Sequence, residues 1–382
     1  MAESKLQGRR GSGPRVLFMA PRFHTNLLPF LQGLVKASVS LKMIVVGQGA
    51  TEEHDDIPLE QLKMARFQPF LALGQRNKSD FSRFAIRVVP DVFQLYRLLK
   101  DFSPDYVVVR GLTPIYILCS LPYIILGSRL VLYTQGARCR TWSLSRWLIN
   151  TCLLLLSNSR WYTPVDRRGG DQAGLWCDDR IHWIPFAMSV CPEAERRSWN
   201  TGSPRMLVIG KYERRKNHHL LIGLLSRLPV SVCLTIVGEL TTSDHQDYFD
   251  SLVALASDLG VANRVTFLVN RPHCEMKDLY LSHDLFVMAS EREPASVSQL
   301  EAMAHGLGVI IARDNGTAHY VEDKVNGATC DSTESSIFAA ISMALDSPEN
   351  LSRWGTNSLG LISERHAPAV IVDKFMKCLR HE

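Results

Sequence analysis

The sequence predicts an α/β protein built on two doubly wound parallel sheets, and three observations carry that expectation. Compact apolar runs of strand length alternate with helix-length segments through both halves of the chain. A polar stretch rich in breakers, residues 193–204, separates the two series. The 382 residues, 46% hydrophobic and 21% charged, suffice for two or three domains with substantial cores. That balance excludes a disordered or fibrous chain.

In the first half, Arg15-Val-Leu-Phe-Met-Ala20 is an apolar run stopped by Pro21, the pattern of a buried first strand. A helix over about 26–37 and a strand over 41–46, closed by Gly47, follow it. The alternation resumes with a helix over 91–99, a strand over 106–109, an apolar helical segment and a strand over 129–134. Residues 49–80 break the pattern and read as a long functional loop or an extra hairpin.

Beyond the polar stretch the series restarts with strands over 206–209, 234–237, 265–269, 284–288 and 309–312. Helices over 218–227, 246–259 and 297–305 and a short helix ending at 279–282 lie between them. The expected division is a first domain of 14–196, a second of 203–360, and a last segment, 361–382, whose helix crosses back to the first. No repeat of solenoid period is present.

Lys and Arg total 43 against 38 Asp and Glu, a net charge of +5. This excess is too mild to imply nucleic acid, though it suits an anionic ligand or membrane surface. Nine cysteines without a C-x-x-C pair read as reduced thiols of a cytoplasmic protein, not as a disulfide framework or zinc site. The leader before Arg15 lacks the apolar stretch of a secretory signal, and the longest apolar runs are too short or too interrupted to predict a transmembrane span. His218 and His219 are adjacent and diverge on a helix, so no metal site is expected. Gly47-Gln-Gly49 lacks the third glycine of a dinucleotide loop.

The segment from Asp284 to Gly306 carries the most chemistry. A strand leads into a loop with Glu293, and a helix begins near Val297 with Ser296 and Gln299 spaced as a capping box and Gly306 as its stop. Free amides at Ser296, Val297 and Ser298 would face the carboxyl end of the sheet, where an anion such as a diphosphate is favoured. Glu293 and, one turn into the helix, Glu301 could each accept bonds from sugar hydroxyls. Taken alone, the pattern equally suits a capped surface helix with two solvated glutamates. His305 is expected in the last helical turn, where the dipole favours a cation.

A second segment, Gly210-Lys211-Tyr-Glu-Arg-Arg-Lys216-Asn217, follows the first strand of this half and precedes a helix that Asn217 could cap. Gly210 allows a tight turn, and Lys211 and Lys216 could bring two cations to phosphate oxygens. A lone basic run is otherwise a solvated loop. Two phosphate-suited features in one domain reinforce each other.

Together these residues resemble the retaining glycosyltransferases of the GT-B fold, specifically family 4, the glycosyl transferases group 1. Glu293 and Glu301 match its E-x7-E motif, Ala302-Met-Ala-His-Gly306 continues it, and Gly210, Lys211, Lys216 and Asn217 match its G-[RK]-x4-K-[GN] element. Supporting matches are residues 234–238, Leu279-Tyr280 with Asp284, Asn315-Gly316 and Val325-Asn-Gly327, so residues 203–335 resemble the family closely. In the first half only the architecture and Trp183-Ile-Pro-Phe186 do so.

The resemblance implies two Rossmann-like domains facing each other across a cleft, the first binding the acceptor and the second a nucleotide-sugar donor. Lys211 and Lys216 would neutralise the diphosphate leaving group, the Ser296 and Val297 amides would hold it, Glu301 would bind the ribose, and Glu293 the transferred sugar. No metal or other cofactor is implied, and the base, uridine or guanosine, stays open. The family retains anomeric configuration, so the two-carboxylate scheme of glycosidases does not apply. Implied partners are the donor and a glycan or lipid-linked glycan acceptor for cell-surface polysaccharide or lipopolysaccharide, with an anionic membrane at the inner face of the cytoplasmic membrane. A soluble small-molecule glycosyltransferase and a non-catalytic nucleotide-sugar-binding subunit are the alternatives.

The chain departs from the family in its first half. Gln135 stands where a donor-contacting histidine is common, and Ala20-Pro-Arg22-Phe-His24 replaces a glycine-rich turn. Arg22, His24, Arg110 and Gln135, each just past or at a strand end, are the candidate acceptor or donor-sugar contacts. Residues 138–156 mix Arg, Trp and Leu in the manner of an interfacial helix or of an ordinary helix packed on the sheet.

Overall fold

The structure, a computed structural model, describes residues 13–47, 57–64, 89–110, 114–125, 127–135, 139–141, 144–165, 175–177, 180–194 and 203–380. The leader, most of the irregular stretch 49–80, much of the polar stretch 193–204 and Arg138 and Trp142 of the segment 138–156 lie outside the described residues. The chain divides into two compact units, Met1–Pro164 with Gly174–Ala187 and Pro368–Glu382, and Val165–Ala173 with Met188–Ala367.

The first unit holds a seven-stranded parallel sheet among the described residues. Its strands are β1 (Arg15–Arg22), β2 (Ser40–Gly47), β3 (Leu59–Gln61), β4 (Tyr106–Arg110), β5 (Arg129–Tyr133), β7 (Trp161–Thr163) and β9 (Ile181–Trp183). The short pair β6 (Cys139–Thr141) and β8 (Leu175–Cys177) is antiparallel. The order β3-β2-β1-β4-β5-β7-β9 makes β1 and β4 adjacent while their onward connections run in opposite directions. The β1 run Val16-Leu-Phe-Met-Ala20 is continuous and wholly buried because helices cover both sheet faces. Phe18, Phe30 and Phe375 cluster on one face, and Leu17, Met19, Leu95 and Leu99 on the other.

Helix Pro368–Arg380 packs in the first unit against helix Leu28–Lys36. A Cβ at Gly33 would lie 3.0 Å from both Pro368 and Val372, so glycine permits the close approach. The Arg160 guanidinium donates to the Leu379 carbonyl at 2.9 Å, satisfying a helix-end acceptor.

The second unit carries β10 (Arg205–Ile209), β11 (Cys233–Gly238), β12 (Val265–Val269), β13 (Leu285–Met288), β14 (Gly308–Ala312) and β15 (Gly327–Cys330), all parallel, in the order β12-β11-β10-β13-β14-β15. The direction of winding reverses between β10 and β13, which sets the Gly210–Asn217 loop beside the loop carrying Glu293. The chain returns to this unit at Met188, ahead of the polar stretch at 193–204. Long-range backbone bonds hold it there: Met188 donates to the His366 carbonyl and Cys191 to that of Ala304, each at 2.8 Å. It leaves at Pro368, so the helix running through Leu361 and the π-turn Ile362–His366 stay with the second unit.

Candidate functional site

In the second unit, the loop after β10 is pinned from both sides. Tyr212 is fully buried, and its hydroxyl lies 3.0 Å from the Ile236 carbonyl and 3.1 Å from that of Leu268. Gly238 makes room for this anchor, since a Cβ there would sit 2.4 Å from the Gly210 carbonyl oxygen. The chain then forms the short turn Arg214–Lys216 and reverses at Asn217, in the left-handed region at φ 55°. Asn217 starts the following helix but does not cap it with its side chain, as the sequence suggested. Its amide instead donates to the Ala289 carbonyl at 3.0 Å, beyond the end of β13. The Glu291 amide donates back to the Arg215 carbonyl at 2.8 Å, which closes the two loops on each other.

This cross-linking brings Lys216 to Glu293. The buried Lys216 Nζ donates to Glu293 Oε2 at 2.6 Å, and Arg215 donates to the same oxygen at 2.7 Å. Arg215 also bonds Glu213, whose other oxygen lies 3.5 Å from His245 Nε2. Burial pulls the Lys216 ammonium below the ordinary lysine range, only partly opposed by Glu293. Burial pushes the Glu293 carboxyl upward, but its bonds and charge interactions with Lys216 and Arg215 outweigh this and hold it below the usual carboxylate range. The Lys216 stem runs over Gly210, where a Cβ would lie 3.0 Å from Cε. Lys211 is half exposed, 3.7 Å from Glu239.

The helix Val297–Ala304 starts beside this pair. Ser296 Oγ accepts from the Gln299 amide at 3.3 Å, so half of the expected capping box forms. The other half does not. The Ser296 amide donates to Thr317 Oγ1 at 3.1 Å, while the Gln299 side chain bonds Thr317, donating to its carbonyl at 3.1 Å. The expectation of a free amide at Ser296 is therefore corrected: Thr317 takes it. Val297 and Ser298 hold the first-turn amides that a helix leaves without an intrahelical acceptor. Gly316, which donates to the Glu293 carbonyl at 2.8 Å, fixes the same loop, since a Cβ there would fall 1.9 Å from the Pro294 carbonyl oxygen.

Glu301 lies half-buried one turn into the helix and accepts from the Tyr280 hydroxyl at 2.6 Å. Burial first, and the Glu301 charge second, raise the Tyr280 hydroxyl well above its ordinary value, so it stays a donor. Tyr280 stacks on His305 at 4.8 Å between ring centroids. His305 is not the dipole-stabilised cation expected from sequence, because burial lowers its basicity by more than the Glu301 carbonyl, 2.6 Å from Nδ1, raises it.

The first unit gathers its four candidates at the carboxyl ends of β1, β4 and β5, which are neighbours in the sheet. Arg110 is buried and in register with Tyr133, its guanidinium carbon 5.7 Å from that ring's centroid. Gln135 donates to the Tyr133 hydroxyl at 3.4 Å. His24 is held to about 3 by burial first, then by the charges of Arg110 and Arg22, so it is a neutral imidazole flanked by guanidinium groups. Among the described residues, no group of three or more His, Cys, Asp and Glu could hold a metal ion.

Sequence reasoning missed Arg215, Thr317 and the role of Tyr280. Arg215 adjoins Lys216 in the basic run and Tyr280 lies in a matched segment, but their partners are 78 and 21 residues away. No local spacing announces such pairs.

Residues 192–359 match the family described as glycosyl transferases group 1. The match covers a little under half of the chain. Among curated relatives, the chain is 32% identical over 137 residues to the lipopolysaccharide core biosynthesis glycosyltransferase LpsE of Rhizobium meliloti, covering 36% of this chain and 38% of that protein. It is 29% identical over 173 residues to D-inositol 3-phosphate glycosyltransferase of Mycolicibacterium smegmatis, covering 45% and 39%. The matches to these relatives thus span under half the length of either. The whole fold is similar to a glycosyltransferase from Rickettsia africae, with a TM-score of 0.72 at 15% identity over 97% of this chain and 100% of that one. It is also similar to Anabaena HepE in complex with UDP and glucose, with a TM-score of 0.66 at 18% identity over the same shares. At these identities the likeness is one of fold, and the fold is GT-B.

Proposed function

We propose that the chain is a metal-independent, retaining glycosyltransferase of the family 4 type that takes a sugar from a nucleoside diphosphate sugar. The observation that carries this is the pairing of Lys216 with Glu293 at 2.6 Å, at the crevice where the β10 and β13 connections part, beside the first-turn amides of the helix at Val297. Lys216 and Lys211 would neutralise charge as the diphosphate departs, and the Val297 amide would bind it, so that electrostatics supplies what a divalent cation supplies elsewhere. Glu301, oriented by Tyr280, suits ribose hydroxyls, and Glu293 suits the hydroxyls of the transferred sugar. Attack from the face the leaving group vacates, with the phosphate accepting the acceptor's proton, needs no protein nucleophile. The complexes of HepE with UDP and UDP-glucose support a nucleotide-sugar donor, the base remaining to be identified by experiment.

The acceptor proposed is a glycan or lipid-linked glycan of lipopolysaccharide type, met on the cytoplasmic side of a membrane. LpsE and the lipopolysaccharide glycosyltransferase WaaG, a fold neighbour with a TM-score of 0.57 at 14% identity, favour it. A small phosphorylated acceptor is the second reading, favoured by the guanidinium groups of Arg22 and Arg110 around His24 and by the inositol phosphate glycosyltransferase relatives. The test is a screen of UDP-, GDP- and dTDP-sugars by thermal shift and slow donor hydrolysis, with Lys216→Ala and Glu301→Ala alongside. Stabilisation and hydrolysis confined to one base and lost in both variants is the expected result. Donor stabilisation that survives both substitutions would remove the proposed site, and binding without hydrolysis or transfer would favour a non-catalytic subunit.

A further inference from the structure

The direction of the Glu293 carboxylate is set by a chain of side chains that begins outside the two loops carrying the site. Helix Ser243–Asp258, which follows β11, packs Tyr248, Leu252 and Ala256 into the core of the second unit. His245, in its first turn, is buried but is not part of that apolar cluster. The Thr241 amide donates to its Nδ1 at 3.3 Å, and the His245 amide donates to Thr242 Oγ1 at 3.3 Å. A backbone amide only donates, so Nδ1 is the accepting nitrogen and the ring proton sits on Nε2. Nε2 faces the loop after β10, 3.5 Å from Glu213 Oε1.

From there donors and acceptors alternate as far as the site. The second Glu213 oxygen, Oε2, accepts from Arg215 Nε at 2.7 Å, and Arg215 Nη1 donates to Glu293 Oε2 at 2.7 Å. Lys216 Nζ meets that same oxygen at 2.6 Å, so Oε1 is the Glu293 oxygen offered to sugar hydroxyls. Turning the Glu213 carboxylate gives up either His245 or Arg215, and turning the guanidinium gives up one of its two anions. The side chains of Arg215 and Glu213 are 41% and 28% exposed, so bonding rather than packing has to fix them. The same helix touches the loop a second time through Tyr248, whose ring centroid is 5.6 Å from the Arg214 guanidinium carbon and whose hydroxyl is 3.0 Å from His219 Nδ1.

We propose that His245 is a positioning residue of the donor site: through Glu213 and Arg215 it fixes the direction in which Glu293 presents its carboxylate to the transferred sugar. The proposal deepens the nucleotide-sugar reading and rests on it for the ligand. Loss of His245 leaves the Lys216 ammonium paired with Glu293, so the effect belongs to the sugar end of the donor and spares the diphosphate.

The test compares His245→Phe, which keeps a ring and removes the donor, with His245→Gln, whose amide can donate from a similar place. Glu213→Ala breaks the same chain at a more exposed position and serves if the buried exchange impairs folding. With the UDP-, GDP- or dTDP-sugar that the donor screen selects, His245→Phe and Glu213→Ala should each raise KM roughly fivefold, while the Kd for free UDP or GDP by isothermal titration stays within about twofold. His245→Gln should recover most of that loss. In the Arg215→Met background, His245→Phe should add less than about twofold, because the link it acts through is already gone. A KM that neither variant moves, equal losses in KM and Kd, or full additivity with Arg215→Met overturns the proposal. A second readout needs no donor: the Arg215 Nε–H signal in the ¹⁵N spectrum, assigned by its loss in Arg215→Met, should shift and broaden in His245→Phe and return in His245→Gln. An unchanged signal overturns the link from His245 to Arg215, whereas a signal that responds in a chain that binds no sugar nucleotide overturns the reaction and leaves the link standing.

Discussion

Replacing Lys216 by Met separates its role in the fold from its proposed role toward phosphate. Met keeps most of the stem that lies over Gly210 and removes the ammonium bonded to Glu293 at 2.6 Å. Stranding a buried carboxylate costs about 3–5 kcal/mol, but Glu293 would keep Arg215 at 2.7 Å, and Lys216 itself is desolvated at a cost. The net loss in stability should be about 1 kcal/mol, a fall in Tm of no more than about 4 °C. Arg215→Met combined with Lys216→Met strands the carboxylate and should show most of the 3–5 kcal/mol, about that range being the marker of a lost pair. The effect on the donor is different in kind. A charge-assisted bond to phosphate contributes about 1.5–3 kcal/mol, so Lys216→Met should weaken nucleoside diphosphate binding roughly 10- to 150-fold. Isothermal titration with UDP and GDP at constant ionic strength measures it, with the melt as a check on folding. A variant that melts normally and binds the nucleotide within about twofold of wild type would show that Lys216 serves only to hold Glu293.

Three further outcomes follow from the same geometry. Tyr280→Phe removes the 2.6 Å donor to Glu301 and should weaken nucleotide binding about tenfold while leaving inorganic pyrophosphate binding unchanged; equal losses for both ligands would deny Glu301 a ribose role. Gly316→Ala, whose Cβ would meet the Pro294 carbonyl at 1.9 Å, should cost about 2 kcal/mol or more and displace Glu293, read as a lower Tm together with weaker donor binding. His24 and His218, each held to about 3, and His319, held to about 4, are neutral in the folded chain across a range where the unfolded chain takes up protons from about pH 6.5 downward. The unfolded state binds more protons there, so stability is lost as pH falls through 6.5, at roughly 4 kcal/mol per pH unit near pH 5 for three such groups. A Tm that stays flat from pH 7.5 to 5, or a slope that His218→Phe does not reduce by about a third, would contradict their burial as neutral rings.

The second unit was the more legible in the sequence because its chemistry is encoded at short range. Lys216 follows Gly210 within one turn and loop, and Glu301 follows Glu293 across one helix start, so spacing alone puts them near a strand end. What stayed hidden has long-range causes. The Ser296 amide is taken by Thr317, 21 residues on, and the Asn217 side chain is taken by Ala289, 72 residues away, so both local capping expectations gave way to tertiary partners. His305 sits where a helix dipole favours a cation, but burial against Tyr280 costs an imidazolium more than a partial charge returns. In the first unit the converse holds. Arg22, His24, Arg110 and Gln135 lack any motif spacing, yet parallel topology alone predicts that residues at successive strand ends meet, and they do.

The Lys216–Glu293 bond also explains why an arginine with no motif position belongs in the site. A lysine buried at this depth needs an anion beside it at all times, and in this structure the Glu293 carboxylate is that anion. Under the proposed reaction a phosphate oxygen replaces the carboxylate at Lys216, an exchange of one anionic acceptor for another that leaves the ammonium paired. Glu293 would then be the group left stranded. Arg215 prevents this, because it already donates to the same Oε2 at 2.7 Å and is itself anchored by Glu213. The carboxylate can therefore turn from Lys216 toward sugar hydroxyls without losing its counter-charge. Arg215 is thus a positioning residue whose removal should raise the KM for the donor sugar far more than the Kd for the free nucleoside diphosphate, a split that a purely structural arginine would not produce.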